Sequence, residues 1–221
     1  MFWQESNQEN NFTSANNIYD AVFQINCSAI PVDHIYSLSN QITAILPWLK
    51  NDKYAGIHPI FIPLKAHGWQ IPDGDDAIAH IPKRSKLYIR IEKQKLADLN
   101  ILVGKIFNIQ GNSLEILKAL SPKKLIAHSS LFSRAIECNK NLSEDDFLEK
   151  VFLELKEIGI KPKKMLAGLE NQIKLADDKI YTRSLMITDL RTEESITLQQ
   201  LGLGNYKLLG CGIFKPQKNI G

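Results

Sequence analysis

Apolar residues in this chain change their spacing in a fixed order, and the order occurs twice. Val22, Phe23, Ile25 and Cys27 sit in a stretch that reads as a strand, and from Pro31 onward Ile35, Leu38, Ile42, Ile45, Leu46 and Leu49 recur at three and four, the helical period. Strands are expected next around 57–64 and over 86–91, with a turn at Pro72-Asp73-Gly74 between them. A short helix near 93–102 and two strands at 105–109 and 113–117 complete the first half. The second half begins near residue 123 with a strand-like run from Leu125 to Ile136, then a helix over 144–158 opened by Ser143 with Asp146 three positions on. Strands at 164–166, 172–175 and 180–190, a helix over 193–201 and a last strand over 208–214 follow. Strand, helix, two strands, helix, strand is the split βαβ order. The sequence therefore predicts an α+β chain of two tandem ferredoxin-like (RRM-like) βαββαβ domains, residues 18–121 and 122–221, behind a loose lead-in over 1–17. The boundary is placed at Leu120-Ser121-Pro122, where proline is expected to interrupt any regular element.

With 221 residues, 44% of them apolar and 23% charged, the chain can bury a core and is not of disordered composition. No window approaches the roughly 20 apolar residues of a membrane span, and the opening MFWQESNQENNF lacks the basic-then-apolar pattern of an export signal. The expectation is a cytoplasmic protein without a membrane partner. Cys27, Cys138 and Cys211 are far apart, with no C-x-x-C pair and no histidine at zinc-finger spacing, so neither a metal nor another cofactor is expected. The net charge of +3 permits nucleic acid without demanding it. Basic residues concentrate at Lys83, Arg84, Lys86, Arg90, Lys93 and Lys95, and again at Lys207, Lys215 and Lys218. Both runs are candidate phosphate-facing surfaces, with solvated faces as the plain alternative.

The most specific segment runs from Gly202 to Phe214 and holds glycines at 202, 204, 210 and 212 between a helix and the expected last strand. Glycine allows positive φ and close backbone approach, so Gly202, Gly204, Gly210 and Gly212 suit a loop that grips an RNA backbone or, equally, a plain turn. The order helix–glycines–strand is the reverse of a dinucleotide fingerprint.

These glycines, with Pro31-Val32-Asp33-His34-Ile35-Tyr36-Ser37-Leu38, Gly56-Ile57-His58, Arg84-Ser85-Lys86-Leu87, Lys164-Met165-Leu166, Thr182-Arg183-Ser184-Leu185-Met186, Glu194-Ser195 and Leu198-Gln199-Gln200, resemble the CRISPR repeat endoribonucleases. The similarity is to the Myxococcus-type sub-family and extends over nearly the whole chain. Gln217 departs from it, standing where the family's Pro-His-Lys ending has histidine. The resemblance implies metal-independent cleavage of precursor CRISPR RNA within its repeats, by attack of a ribose 2′-hydroxyl on the adjacent phosphate to leave a 2′,3′-cyclic phosphate. The implied partners are repeat RNA and other CRISPR effector-complex subunits. A non-catalytic repeat-RNA-binding subunit is the alternative. An RNA-binding module with aromatics on its sheets fits less well, because the aromatic-rich strand signature is absent.

Such a reaction needs a base, an acid and cationic or N–H donors around the phosphorane. His34, at the expected start of the first helix, ranks first as the base, and His58, in the loop after that helix, second. Tyr36 is a candidate to orient the base, and Arg84 and Arg183 to contact phosphate. For His34 the structural alternative is packing against Trp48 or Tyr36, and for His58 a bond to a carbonyl. His67, His80 and His128 are assigned to local structure.

Overall fold

A computed structural model describes residues 17–62 and 77–217. Most of the lead-in, the 72–74 turn, His67 and Lys218 lie outside the described residues.

Strand β1 (Ile18–Asn26) lies inside a sheet, flanked by β5 (Lys86–Glu92) and β7 (Asn112–Lys124), so its residues are buried on both faces. Ala21, Phe23 and Ile25 pack into the first core with Leu38 and Ile42 of α1 (Ile35–Ile45) and Leu87, Ile89 and Ile91 of β5. The helical apolar spacing continues to Leu49, but α1 stops at Ile45. Pro47 forces the change: it disfavours helical backbone at the residue before it, and Leu46 accordingly sits at φ −124°, ψ 70°. The chain resumes as a 3₁₀ turn over Pro47–Asn51 that still buries Leu49. Pro31 does not open the helix, because it ends the short strand β2 (Ala29–Pro31), which pairs with β4 (Ile78–His80).

Of the strands expected over 57–64, only β3 (Gly56–Ile57) forms within the described residues, on the edge of β5. The expected helix near 93–102 is two 3₁₀ turns, Lys93–Lys95 and Asp98–Leu102. With β6 (Ile106–Ile109) the first sheet reads β3-β5-β1-β7-β6. Pro122 does not interrupt β7, which stays paired with β1 through Lys124. A bulge between the Asp20–Lys123 and Val22–Leu120 pairs absorbs the proline's missing N–H. Residues 122–124 thus belong to the first sheet, and the strand expected at Leu125 begins only at β8 (Leu131–Glu137).

The second sheet reads β11-β8-β10-β9, with β9 spanning Lys164–Lys174, β10 Lys179–Thr188 and β11 Lys215–Pro216. Helix α2 (Glu144–Glu157) starts as its sequence requires: Ser143 Oγ accepts the Asp146 N–H at 3.1 Å, and three acids fill the first turn, favourable at the positive end of the helix. Phe147, Val151 and Leu155 from α2 meet Leu185 and Ile187 of β10 and Leu198 of α3 (Thr192–Leu201). Strand β9 is continuous where two pieces were expected, because an edge strand holds its place through backbone pairing with β10 and needs no alternating apolar face.

The expected strand over 208–214 is absent. Gly202, Gly204, Gly210 and Gly212 have φ of +67° to +78°, and Tyr206 is also left-handed, conformations that a strand excludes. A 3₁₀ turn at Lys207–Leu209 lies inside this loop, and only Lys215–Pro216 pairs with β8. No helix among the described residues is long and apolar enough to cross a membrane.

Candidate active site

The segment after β3 carries His58 along the edge of β5, where its N–H donates to Tyr88 O at 3.0 Å. Gly56 and Gly210 let the glycine-rich loop close onto this segment. A Cβ at Gly56 would come within 2.8 Å of Ile213, and one at Gly210 within 2.6 Å of Pro59. The loop of the second half therefore rests directly on the residues flanking His58.

His58 is 1% exposed, and its Nε2 lies 3.1 Å from Asp20 Oδ1. Asp20 faces Arg90 across the β1–β5 register, and Arg90 donates from Nε at 2.8 Å and from Nη2 at 3.1 Å to its two carboxylate oxygens. Nη1 of Arg90 donates to Gln199 O at 2.7 Å and Phe214 O at 3.1 Å, both in the second half. Burial alone would raise the Asp20 carboxyl, but the charges and hydrogen bonds of His58 and Arg90 overcome it and hold the group well below the usual carboxylate range. Asp20 is then an acceptor only, so the His58 proton sits on Nε2 and Nδ1 is a bare acceptor. Nδ1 is buried and has no hydrogen-bond partner among the described residues. An unpartnered buried acceptor costs roughly 1–3 kcal/mol, which singles this atom out. Burial also pushes the imidazole down to about 4, outweighing the pull of Asp20, so His58 is neutral near pH 7.

His58 opens onto a cavity of about 260 Å³ lined from both halves, by Phe61 and by Arg134, Gly210, Lys215 and Gln217. Lys215 is an exposed residue of β11, while its ammonium lies over the Tyr88 ring, 5.6 Å from the centroid. Loss of water around that ammonium, helped by Arg90, Arg134 and Lys123, pushes it down to about 8 against the pull of Asp20.

A family model described as Cas6 Crispr matches residues 19–219. The chain belongs to the Cas6 family. A CRISPR-associated endonuclease Cas6 from Myxococcus xanthus is 23% identical over 201 residues, covering 89% of this chain and 80% of that protein. The solved structure of a Cas6-related gene product from Pyrococcus furiosus superposes with a TM-score of 0.59 at 17% identity, over 90% of this chain and 98% of that one. An RAMP protein binding different RNA substrates gives 0.61 at 14% identity, over 91% and 99%. The two structures share with this chain the mixed α/β Cas6 fold of antiparallel sheets and few helices.

Within this Cas6-family chain the expected site residues separate. His34 is 3% exposed and both ring nitrogens are committed: Nδ1–H donates to Pro31 O at 2.9 Å, and Nε2 accepts the Ile60 N–H at 2.9 Å. It is a buckle between the start of α1 and the segment carrying His58, not a free base. Tyr36 is half-buried on α1 and makes no hydrogen bond to either histidine. Arg183 donates from Nη1 to Gly168 O and from Nη2 to Leu142 O, while its buried Nε has no partner among the described residues, and Lys207 reaches Lys53 O and Leu201 O. Gly202 and Gly212 close the loop on itself through the Leu203 N–H to Gly212 O bond, while Gly204 faces open space. The first basic run disperses. Arg90 is buried and Lys95 pairs with Asp52 and Glu92, whereas Lys83 and Arg84 are exposed on the turn before β5 and Lys86 is half-buried at its start. His128 sits in the loop before β8, not on a strand, with its Nδ1 against Ser130.

Asp20, Phe61, Tyr88 and Arg134 were not singled out by sequence reasoning. A signal existed for Asp20: an acid inside Ile18-Tyr19-Asp20-Ala21-Val22 and a base inside Leu87-Tyr88-Ile89-Arg90-Ile91 are opposite charges in two otherwise apolar strands.

The Asp20–His58–Arg90 cluster predicts a pH dependence of stability. His58 has a folded pKa of about 4, below its unfolded value, so between about 6.5 and 4 the unfolded chain binds a proton that the folded chain refuses. Stability present at neutral pH should therefore fall by about 3 kcal/mol as pH drops through that window. The depressed Asp20 acts with the same sign at lower pH. Denaturant midpoints of wild type and His58→Gln across pH 4–7 should converge toward acid, and parallel curves would refute the assignment.

Proposed function

We propose that this chain cuts precursor CRISPR RNA within its repeats by attack of a ribose 2′-hydroxyl on the adjacent phosphate, without a metal, leaving a 2′,3′-cyclic phosphate and a 5′-hydroxyl. The observation that carries the reading is His58, with one ring nitrogen held by Asp20 and the other without a partner beside a cation-lined cavity. Membership of the Cas6 family, the endonuclease name of the Myxococcus relative and the RNA substrates of the RAMP protein support RNA as the substrate.

In this mechanism His58 Nδ1 takes the 2′-hydroxyl proton, and Asp20 holds the ring in the required tautomer and stabilises the imidazolium that forms. A scissile phosphate beside the ring adds negative charge, which raises the proton affinity of His58 from its unliganded value. Lys215 and Arg134 face the developing charge of the phosphorane, and Lys215, near 8, can return a proton to the leaving 5′-oxygen. Gly204 and the exposed Lys83 and Arg84 remain the candidates for outer contacts to the RNA backbone.

We read the two sheets as tandem ferredoxin-like domains. The order β11-β8-β10-β9, with α2 and α3 as crossovers, matches a βαββαβ unit, and β3-β5-β1-β7 repeats it with β6 added at the edge. The division then falls within 125–130, after β7 ends at Lys124.

Labelled repeat RNA incubated with the protein in excess chelator should still be cut, and a 2′-deoxy substitution on the 5′ side of the scissile phosphate should abolish cleavage with binding nearly intact. Activity that appears only on adding magnesium or manganese, or cleavage of the deoxy RNA, would overturn the mechanism. Tight binding with no cleavage under any condition would instead support a repeat-binding subunit.

A further inference from the structure

Three residues beyond His58, Phe61 is 59% exposed although it is a large aromatic side chain. Its ring faces the second half of the chain, where the Arg134 guanidinium of β8 stands 5.1 Å from the ring centroid. Both line the same cavity as His58. The cavity offers an aromatic face, the cations of Arg134 and Lys215 and the Gln217 amide, which has both donors and an acceptor, and among the described residues no acid lines it. An apolar ligand would leave the cations without an anionic partner, and a cationic ligand would be repelled. A nucleotide satisfies each part: its base stacks on a π-face, its phosphate meets the cations, and its base edge meets the amide.

We propose that Phe61, braced by Arg134 across the cleft between the halves, is a stacking subsite for one RNA base next to the scissile phosphate. The inference rests on the proposed function for its substrate, and adds a base-binding position to a mechanism that by itself needs only backbone. Arg134 covers part of one ring face and fixes the ring in place, and the base occupies ring surface that stays exposed. Because Phe61 is three residues from His58 on the same segment, a base docked there fixes which phosphate lies against Nδ1. The subsite therefore sets cleavage position as well as affinity.

The test pairs protein and RNA changes. Affinity is measured for repeat RNA and for a series with a single abasic nucleotide at each position flanking the cut, using wild type, Phe61→Ala, Phe61→Leu and Phe61→Tyr. Stacking on one aromatic side chain predicts that Phe61→Ala weakens intact RNA by about tenfold to a hundredfold. Phe61→Leu, which keeps bulk but no π-face, should lose nearly as much, and Phe61→Tyr should be restored. At one abasic position wild type should lose the same factor, and Phe61→Ala should cost nothing more. Equal losses from Phe61→Ala on intact RNA and on every abasic RNA, no loss on intact RNA, or full affinity in Phe61→Leu would overturn the subsite. Cleavage by wild type is scored on the same RNAs. Binding without cutting would refute the proposed reaction and leave the stacking result to be read from affinity, whereas no RNA binding by wild type would refute both.

Discussion

His58→Ala is expected to slow single-turnover cleavage of repeat RNA by at least about a hundredfold while changing RNA affinity little, the scale of losing a positioned general base. The reason lies in the two ring nitrogens. Nε2 is fixed by Asp20, and Nδ1, buried and unpartnered, is the ring atom left to accept a proton. His34→Ala is the contrasting variant. It removes the acceptor for the Ile60 N–H and the donor to Pro31 O, so its expected effect is a loss of stability of roughly 1–3 kcal/mol, with slower cleavage only as far as the His58 segment shifts. Asp20→Asn should fall between them in rate, because the amide can donate to Nε2 and favour the wrong tautomer. Full cleavage by His58→Ala, or a hundredfold loss in His34→Ala at unchanged stability, would reverse the assignment.

The sequence favoured His34 because a helix start is a common address for a neutral imidazole, and the structure shows why spacing could not decide between the two histidines. Whether a ring nitrogen is free depends on which backbone groups reach it, and the Ile60 N–H comes from 26 residues away. The elements with strong local signals, α2 and β5, formed where capping and apolar pattern placed them, and α1 formed within its apolar period but was cut short by Pro47. Those without such a signal moved. Strand β9 is held by its partner and not by its own pattern, and the glycine-rich loop stays irregular because its backbone angles are set by packing on Gly56 and Pro59. Arg90 illustrates the same limit. Within Lys83–Lys95 it reads as one more surface base, yet its place at the centre of β5, opposite Asp20, buries it.

Arg90 accordingly carries the second large expectation: Arg90→Met should destabilise the folded chain by about 3–5 kcal/mol, the cost of leaving a buried charge without its partner. Arg90 is 3% exposed and satisfies four acceptors, two on Asp20 and the carbonyls of Gln199 and Phe214. Methionine fills much of the volume and satisfies none of them. The loss should be smaller at pH 5 than at pH 8, because Asp20 without Arg90 draws a proton onto His58 and an imidazolium replaces part of the missing charge. Adding Asp20→Asn to Arg90→Met should recover stability, since the stranded carboxylate is then neutral. Denaturant unfolding of the four proteins closes the cycle, and a loss below about 1 kcal/mol in Arg90→Met would mean that water screens the pair as it screens a surface ion pair. The same residue that fixes the tautomer of His58 through Asp20 also holds the carbonyls of Gln199 in α3 and of Phe214, just before β11. The proposed catalytic geometry and the docking of the two halves are therefore one electrostatic arrangement, and Arg90→Met should damage both together.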